Sequence, residues 1–452
     1  MNLALAIISL APLIFLHTQT PDDPRTKLEA AIKSGEIAWQ FSEPEEIVKL
    51  IGKPNREEKH TDGGQQILTY HYEGGLTVSY SRSRETRGWE NSPFGLFAYK
   101  MGEFEVVRSG PLKLRNASDL IKIDSFWGLA GVDASMADLA KEEARLRRVK
   151  FDTLTRWPGA EKMPKGFNPA EILESGKNPG LGIRALHARG IDGRGVDIAI
   201  FDQPLIPDHV EIEGRIKIIA ELGVEGVPPQ MHGPATTSVA VGKTCGVAPK
   251  ANLYYVSYAM WAGEKMGNQY NIQALEKVLE LNKTKSANIR IVSISMGAWR
   301  EYAQFDIWQT LLERAENEGV LVLTCDLEAT KLDYGSIVTK LGGDRDKPED
   351  YILGRHVMGN EELLVPTELF TYASHKGKKE YTFNQSGGMS SAVQWIAGLA
   401  VLGFQVNPDL KPADIRKYLK ESATVMPYGK VANPEKFIEM CKGNQKDTSA
   451  SK

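Results

Sequence analysis

Cysteine is scarce. The three residues, Cys245, Cys325 and Cys441, are odd in number and far apart in a chain of 452. That excludes a disulfide framework and matches no metal-ligand spacing, so they read as free thiols. Charge of one sign is lacking too: the net charge is −3, which points away from nucleic acid and acidic membrane surfaces as partners. A phosphate-binding loop is missing, because Val241-Gly-Lys-Thr244 has Thr237 where the first glycine is needed. The acidic run Asp344–Asp350 lacks the ligand spacing of a calcium loop. No cofactor or metal ligand is read from the sequence. Long apolar runs are few; the one at the N-terminus, Leu3 to Leu16, is broken by Pro12 and short for a membrane span. It has the look of a secretory signal core, although no Lys or Arg precedes it. Residues 1–20 are therefore taken as a signal peptide, with a membrane anchor over residues 3–16 as the alternative, and the protein as secreted or extracytoplasmic.

At 42% hydrophobic content the chain has enough apolar surface for at least one large core and two or three domains. Ser42-Glu-Pro-Glu45 has capping-box spacing, Ile47, Val48, Leu50 and Ile51 give an apolar face, and Gly52 ends the helix. Gln66–Tyr72 and Leu76–Ser81 read as one hairpin, Phe97–Lys100 and Phe104–Arg108 as another. Residues 21–160 are thus expected to form a small α+β region. Glu142–Arg148 reads as a solvated helix face, with Glu143 spaced to pair with Arg147. Three prolines and two glycines between Trp157 and Pro169 mark the boundary.

Residues 161–440 alternate strands and helices. Val196–Phe201, Asn252–Tyr258, Ile289–Ser295 and Val320–Thr324 read as strands; Ile272–Leu281 and Trp308–Glu318 read as helices. The segment between Thr324 and Asn384 reads as irregular. Pro412–Ala423 and Asn433–Met440 read as surface helices, and 441–452 as a disordered tail. The fold class is α/β: a parallel-sheet domain with helices on both faces, whose functional residues gather at the carboxyl ends of the strands.

Three segments carry the chemistry. Gly190-Ile-Asp-Gly-Arg-Gly-Val-Asp-Ile-Ala-Ile-Phe-Asp202 is a turn and a buried strand ending in a carboxylate. His232-Gly-Pro-Ala-Thr-Thr opens a helix, and Gly388-Met-Ser-Ser-Ala392 begins an apolar helix at whose first turn Ser390 stands. Backbone N–H groups and the helix dipole at such a turn can stabilise an oxyanion. A serine hydroxyl becomes a nucleophile when an imidazole takes its proton and a carboxylate fixes the tautomer. Each residue alone has an ordinary structural alternative: a turn cap, a core histidine, an N-cap serine.

In this order the segments resemble the active-site motifs of the subtilisin-like serine peptidases, the subtilases. Gly246-Val-Ala-Pro249 is similar to the family's G-V-A-P turn, and Ser295-Met-Gly297 to the S-x-G segment that pairs with the substrate backbone. The resemblance covers about Gly180 to Ala423. It implies Ser390 as nucleophile, His232 as general base, Asp202 as the residue orienting it, and Ser295 and Gly297 as substrate-backbone contacts. The implied activity is endopeptidase hydrolysis of polypeptides through an acyl-enzyme. Structural calcium occurs in the family, but no site is located here, and 21–160 lie where a propeptide would. Gln394 replaces the family's Pro, Trp395 its frequent His, and Met389 its Thr. The family's oxyanion asparagine has no counterpart; Asp326, or second Glu328, falls in its place. An ionised Asp there would repel an oxyanion, so a pseudo-peptidase that binds protein or peptide is the alternative, and an esterase acting on non-peptide substrates a third.

Overall fold

The computed structural model describes residues 22–34, 36–37, 42–62, 65–83, 95–101, 104–107, 112–122, 128–260, 268–297, 300, 303–357, 359, 362–384 and 387–443. The expected signal segment and most of the expected tail lie outside them. Two compact units result, and the chain passes between them more than once: 1–124, 131–141 and 156–163 form the first, 125–130, 142–155 and 164–452 the second.

The first unit holds helices α1 (Pro24–Ser34) and α2 (Pro44–Ile51) and an antiparallel meander. Its strands are β1 (Arg56–Asp62), β2 (Gln65–His71), β3 (Leu76–Ser83), β4 (Gly95–Met101) and β5 (Phe104–Val107). The α+β character was legible; β1 was not, because its sequence REEKHTD has no apolar alternation. The cap of α2 also sits differently from the expected pairing of Ser42 with Glu45. Glu46 is the acceptor, taking Glu43 N at 3.3 Å and Ser42 Oγ at 3.4 Å. Leu28, Ile47, Leu68, Val78 and Tyr80 form the core.

The second unit begins with the short helix α3 (Glu143–Leu146), on which Arg147 does meet Glu143 at 2.8 Å, and the two-residue strand β6 (Phe151–Asp152). Phe151 packs on Phe383 with ring centroids 5.2 Å apart. That apolar contact and the β6 pairing explain why 142–155 joins this unit. Helices α4 (Pro169–Ser175) and α5 (Ile183–Ala188) lead to the central sheet. Its strands are β7 (Asp197–Asp202), β8 (Ile216–Leu222), β9 (Asn252–Tyr258), β10 (Ile289–Ile294) and β11 (Leu321–Thr324), all parallel, in the order β11-β10-β7-β9-β8. Period-2 alternation sends Ile198 and Ile200 to one face and Ala199 and Phe201 to the other, and both faces are covered. On the first face lie α6 (His232–Val241) and α10 (Gly388–Val406); on the second, α7 (Gln269–Lys283) and α8 (Phe305–Asn317). The mixed α/β class with a parallel sheet is therefore established.

The stretch after Thr324 is not irregular. A one-turn helix α9 (Leu327–Thr330) precedes strands β12 (Tyr334–Thr339), β13 (Tyr351–Leu353), β14 (Leu363–Pro366), β15 (Phe370–Ala373) and β16 (Tyr381–Asn384). They are too short and too mixed in polarity to show periodicity. With β17 (Thr424–Met426) and β18 (Gly429–Val431) they build a second five-stranded sheet, β13-β12-β14-β18-β17, and a third, β15-β16-β6. Helices α11 (Pro412–Ser422) and α12 (Pro434–Lys442) are less superficial than expected: Ile415, Leu419, Phe437, Ile438 and Cys441 are buried in the core against α10. Among the described residues, α10 alone is long and apolar enough to cross a membrane, yet most of it is buried inside the fold. It is a core helix.

Candidate active site

Asp202 ends β7 on the face that carries α6 and α10, with its side chain fully buried. A buried carboxylate is costly unless several donors meet it. Three do. His232 Nδ1 and Gln203 N each donate to Oδ1 at 2.7 Å, and Thr236 Oγ1 donates to Oδ2 at 2.8 Å. Gly233 makes the approach of α6 possible, because a Cβ there would lie 2.2 Å from Gln203 O. Pro234 sits in the first turn, where an absent N–H breaks no helical bond. His232 N is held by Gln203 Oε1 at 3.2 Å. Burial works against the charged imidazole, but the Asp202 carboxylate, by charge and by hydrogen bond, outweighs it. The His232 pKa is raised above its ordinary value.

Ser390 is the third residue of α10. A Cβ on Gly387 would lie 2.3 Å from Thr367 O, and Gly388 has φ +59°, so the entry to the helix admits glycine readily and other residues poorly. Ser390 Oγ donates to Ser295 O at 3.3 Å, and Ser295 Oγ donates back to Ser390 O at 3.3 Å. Gln394 Nε2 donates to Ser295 Oγ at 2.9 Å. Among the described residues no hydrogen bond joins His232 to Ser390 directly; the hydroxyl rests on the Ser295 carbonyl. A direct bond is often long or absent before substrate arrives.

Ser295 follows β10, and Gly297 lies across from Asp326, where a Cβ on the glycine would be 3.6 Å from Asp326 Cβ. Asp326 thus stands beside Gly297, and its Oδ1 accepts from Glu328 N at 3.1 Å and Ala329 N at 3.3 Å, as the N-cap of α9. Glu328 is exposed and paired with Arg300. Between β11 and Asp326 stands Cys325. Burial pushes its thiol up to about 12, with the Tyr334 and Ser390 hydroxyls pulling down and the Asp202 charge pushing up. It therefore stays protonated and does not compete as a nucleophile at neutral pH. All three cysteines are free. Among the described residues no group of three or more His, Cys, Asp or Glu could hold a metal ion.

Reading motifs missed three participants. Thr236 was detectable, since the spacing from His232 to Thr236 puts both on one face of a helix. Gln203 carries no comparable signal, and Gln394 stands out in the sequence only as one polar residue within an apolar run, which does not name its partner. Trp395 is fully buried and donates through Nε1 to Pro179 O at 3.0 Å. It anchors the helix beneath the site.

No protein-family model matches the chain, and no curated protein matches it. Among solved structures, the A-subunit of the AB5 toxin from E. coli is similar over 58% of this chain and 98% of that chain, at 15% identity and a TM-score of 0.47. That likeness is too slight to bear on family or activity.

Proposed function

We propose that the protein is a subtilisin-like serine endopeptidase whose second unit carries an Asp202–His232–Ser390 triad. The observation that supports this most is the 2.7 Å bond from His232 Nδ1 to a fully buried Asp202 carboxylate. Burying that charge is hard to explain as structure alone, and the pairing leaves Nε2 to take the Ser390 proton. Ser390 would attack the peptide carbonyl, His232 would take its proton and return it to the leaving amine, and water would release the acyl group. The Ser295–Gly297 strip would pair with the substrate backbone. Oxyanion stabilisation would fall to the N-terminal turn of α10. The substrates are polypeptides, and export with removal of residues 1–20 fits such an activity.

A second reading has a specific observation behind it. The Asp326 carboxylate accepts two backbone amides, and an acceptor in the oxyanion position favours a peptide-binding pseudo-peptidase. Titration with a fluorophosphonate probe separates the two. Stoichiometric labelling of the wild type, lost in Ser390→Ala, supports the peptidase; an unlabelled, folded wild type supports the binding module.

A further inference from the structure

We infer that Gln394 is a positioning residue for Ser390, acting through Ser295; this rests on the peptidase reading above. Gln394 lies one turn beyond Ser390 on α10, fully buried among Ala392, Val393, Trp395 and Ile396. Its Nε2 donates to Ser295 Oγ at 2.9 Å. Because that oxygen accepts, its own proton is directed to Ser390 O, 3.3 Å away. Two directed bonds thus tie the first turn of the helix to the end of β10. The Ser390 hydroxyl takes its own bearing from the same residue, donating to Ser295 O at 3.3 Å. Ser295 is the common reference for the backbone and side chain of the nucleophile, and Gln394 fixes its hydroxyl.

The side chain is not there for stability. Among the described residues Gln394 Oε1 is buried without a partner, which is destabilising relative to an apolar side chain in the same space. The residues beside it in sequence, Ala392, Val393, Trp395 and Ile396, are apolar, so one amide breaks the run one turn after the reactive serine. Such a break is expected where function selects the residue. A proline here would provide no donor, and Ser295 Oγ would be free to rotate.

The test is a double-mutant cycle with Gln394→Met and Ser295→Ala, measuring kcat and KM on an unstructured protein substrate and the thermal midpoint of each variant. Gln394→Met keeps length and removes the donor. It is expected to lower kcat roughly tenfold, the effect of losing one net hydrogen bond, with KM unchanged and the midpoint equal or higher. Ser295→Ala should do the same, since the carbonyl that faces substrate is kept, and the double variant should lose no more than the worse single. An unchanged kcat in Gln394→Met, additive losses, or a kcat loss matched by a fallen midpoint overturns the inference. Should Gln394→Met fail to fold, Ser295→Ala decides alone, and an unchanged kcat there is equally fatal. A wild type that neither hydrolyses nor takes the probe overturns this inference together with the peptidase reading. An active wild type matched by Gln394→Met overturns the inference only.

Discussion

Replacing Asp202 by asparagine removes a charge and keeps the shape, and the surrounding donors decide how the new amide sits. His232 Nδ1 and Gln203 N both donate to Oδ1 at 2.7 Å, so an amide nitrogen there would face two donors. With the oxygen kept in that place, the nitrogen meets Thr236 Oγ1, which lies 2.8 Å from Oδ2. That hydroxyl can turn acceptor because its proton has a second home on His232 O at 3.0 Å. The Asp202→Asn variant is therefore expected to hold the same imidazole tautomer, and only the charge is lost. Two unit charges about 4 Å apart at an effective dielectric near 20 interact by roughly 4 kcal/mol, which caps the loss near 10³ in kcat. The gap between a charged and a neutral hydrogen bond, roughly 1 kcal/mol, sets a floor of about fivefold. A wrong tautomer costs about 10⁴ in triads of this type. Adding Thr236→Val strands the amide nitrogen, lets the amide turn over, and should take the loss to that larger value. The assays are kcat on an unstructured protein substrate and the imidazole 15N shifts of His232. A loss of about 10⁴ in Asp202→Asn alone, insensitive to Thr236→Val, would refute the reasoning.

The other expectations are briefer. Because Asp202 outweighs the opposing effect of burial and raises the His232 pKa, kcat/KM should climb with pH along a limb above 6.5, and the limb should move down in Asp202→Asn; a pH–rate profile reads both. For stability the sign reverses: the pair's contribution is full below 6.5 and is lost as pH rises through the folded His232 value, which denaturant midpoints across that range will show. Asp326→Asn preserves the cap, since Asn and Asp serve equally there, and so should leave the unfolding midpoint unchanged. It also supplies a donor, and a rate gain of up to about 10²–10³ would place residue 326 at the oxyanion, whereas no gain at any pH between about 5 and 8 would leave it a helix cap only. Trp395→Ala should cost about 3–5 kcal/mol in chemical denaturation, because a fully buried ring is lost and Pro179 O loses its donor. If residues 21–160 are a propeptide, wild type should be trimmed near Trp157–Pro169 while Ser390→Ala accumulates at full length; equal sizes on a gel would indicate a permanent domain.

The central sheet was legible because it obeys strong rules. Four of its five strands, DIAIFD, NLYYVSY, IRIVSI and LVLT, are mostly apolar and mostly buried, and their positions follow from the sequence to within a residue or so. The fifth, β8, reads IKIIAEL and lies at the sheet edge with Ile218 exposed, so neither rule marks it. Strands β12 to β16 escaped for a related reason: three to six residues are too few for a period, and their pairing is set by long-range contacts. At the candidate site, the sequence singled out Asp202, His232, Ser295 and Ser390 but not the other residues bonded to them. Thr236, Gln203 and Gln394 are recognised by what they touch. Asp326 could be placed after β11 from the sequence, but its proximity to Gly297 and the direction of its carboxylate depend on α9, one turn long and invisible in the sequence.

The resting position of the Ser390 hydroxyl bears on both functional readings at once. It donates to Ser295 O, a carbonyl at the head of the strip expected to pair with substrate. A peptide N–H arriving at that carbonyl competes for the same acceptor and would release the hydroxyl. On either proposed reading peptide binding would be the first step, and binding measurements alone separate nothing. The readings part at the second step, when the released hydroxyl needs a base. Asp202 is buried with three donors upon it, and His232 is held at both its backbone N–H and Nδ1, so the base is already oriented. A module kept only for binding has no use for an oriented imidazole or for a carboxylate whose burial must be met by three donors. So much structure devoted to the proton acceptor favours hydrolysis.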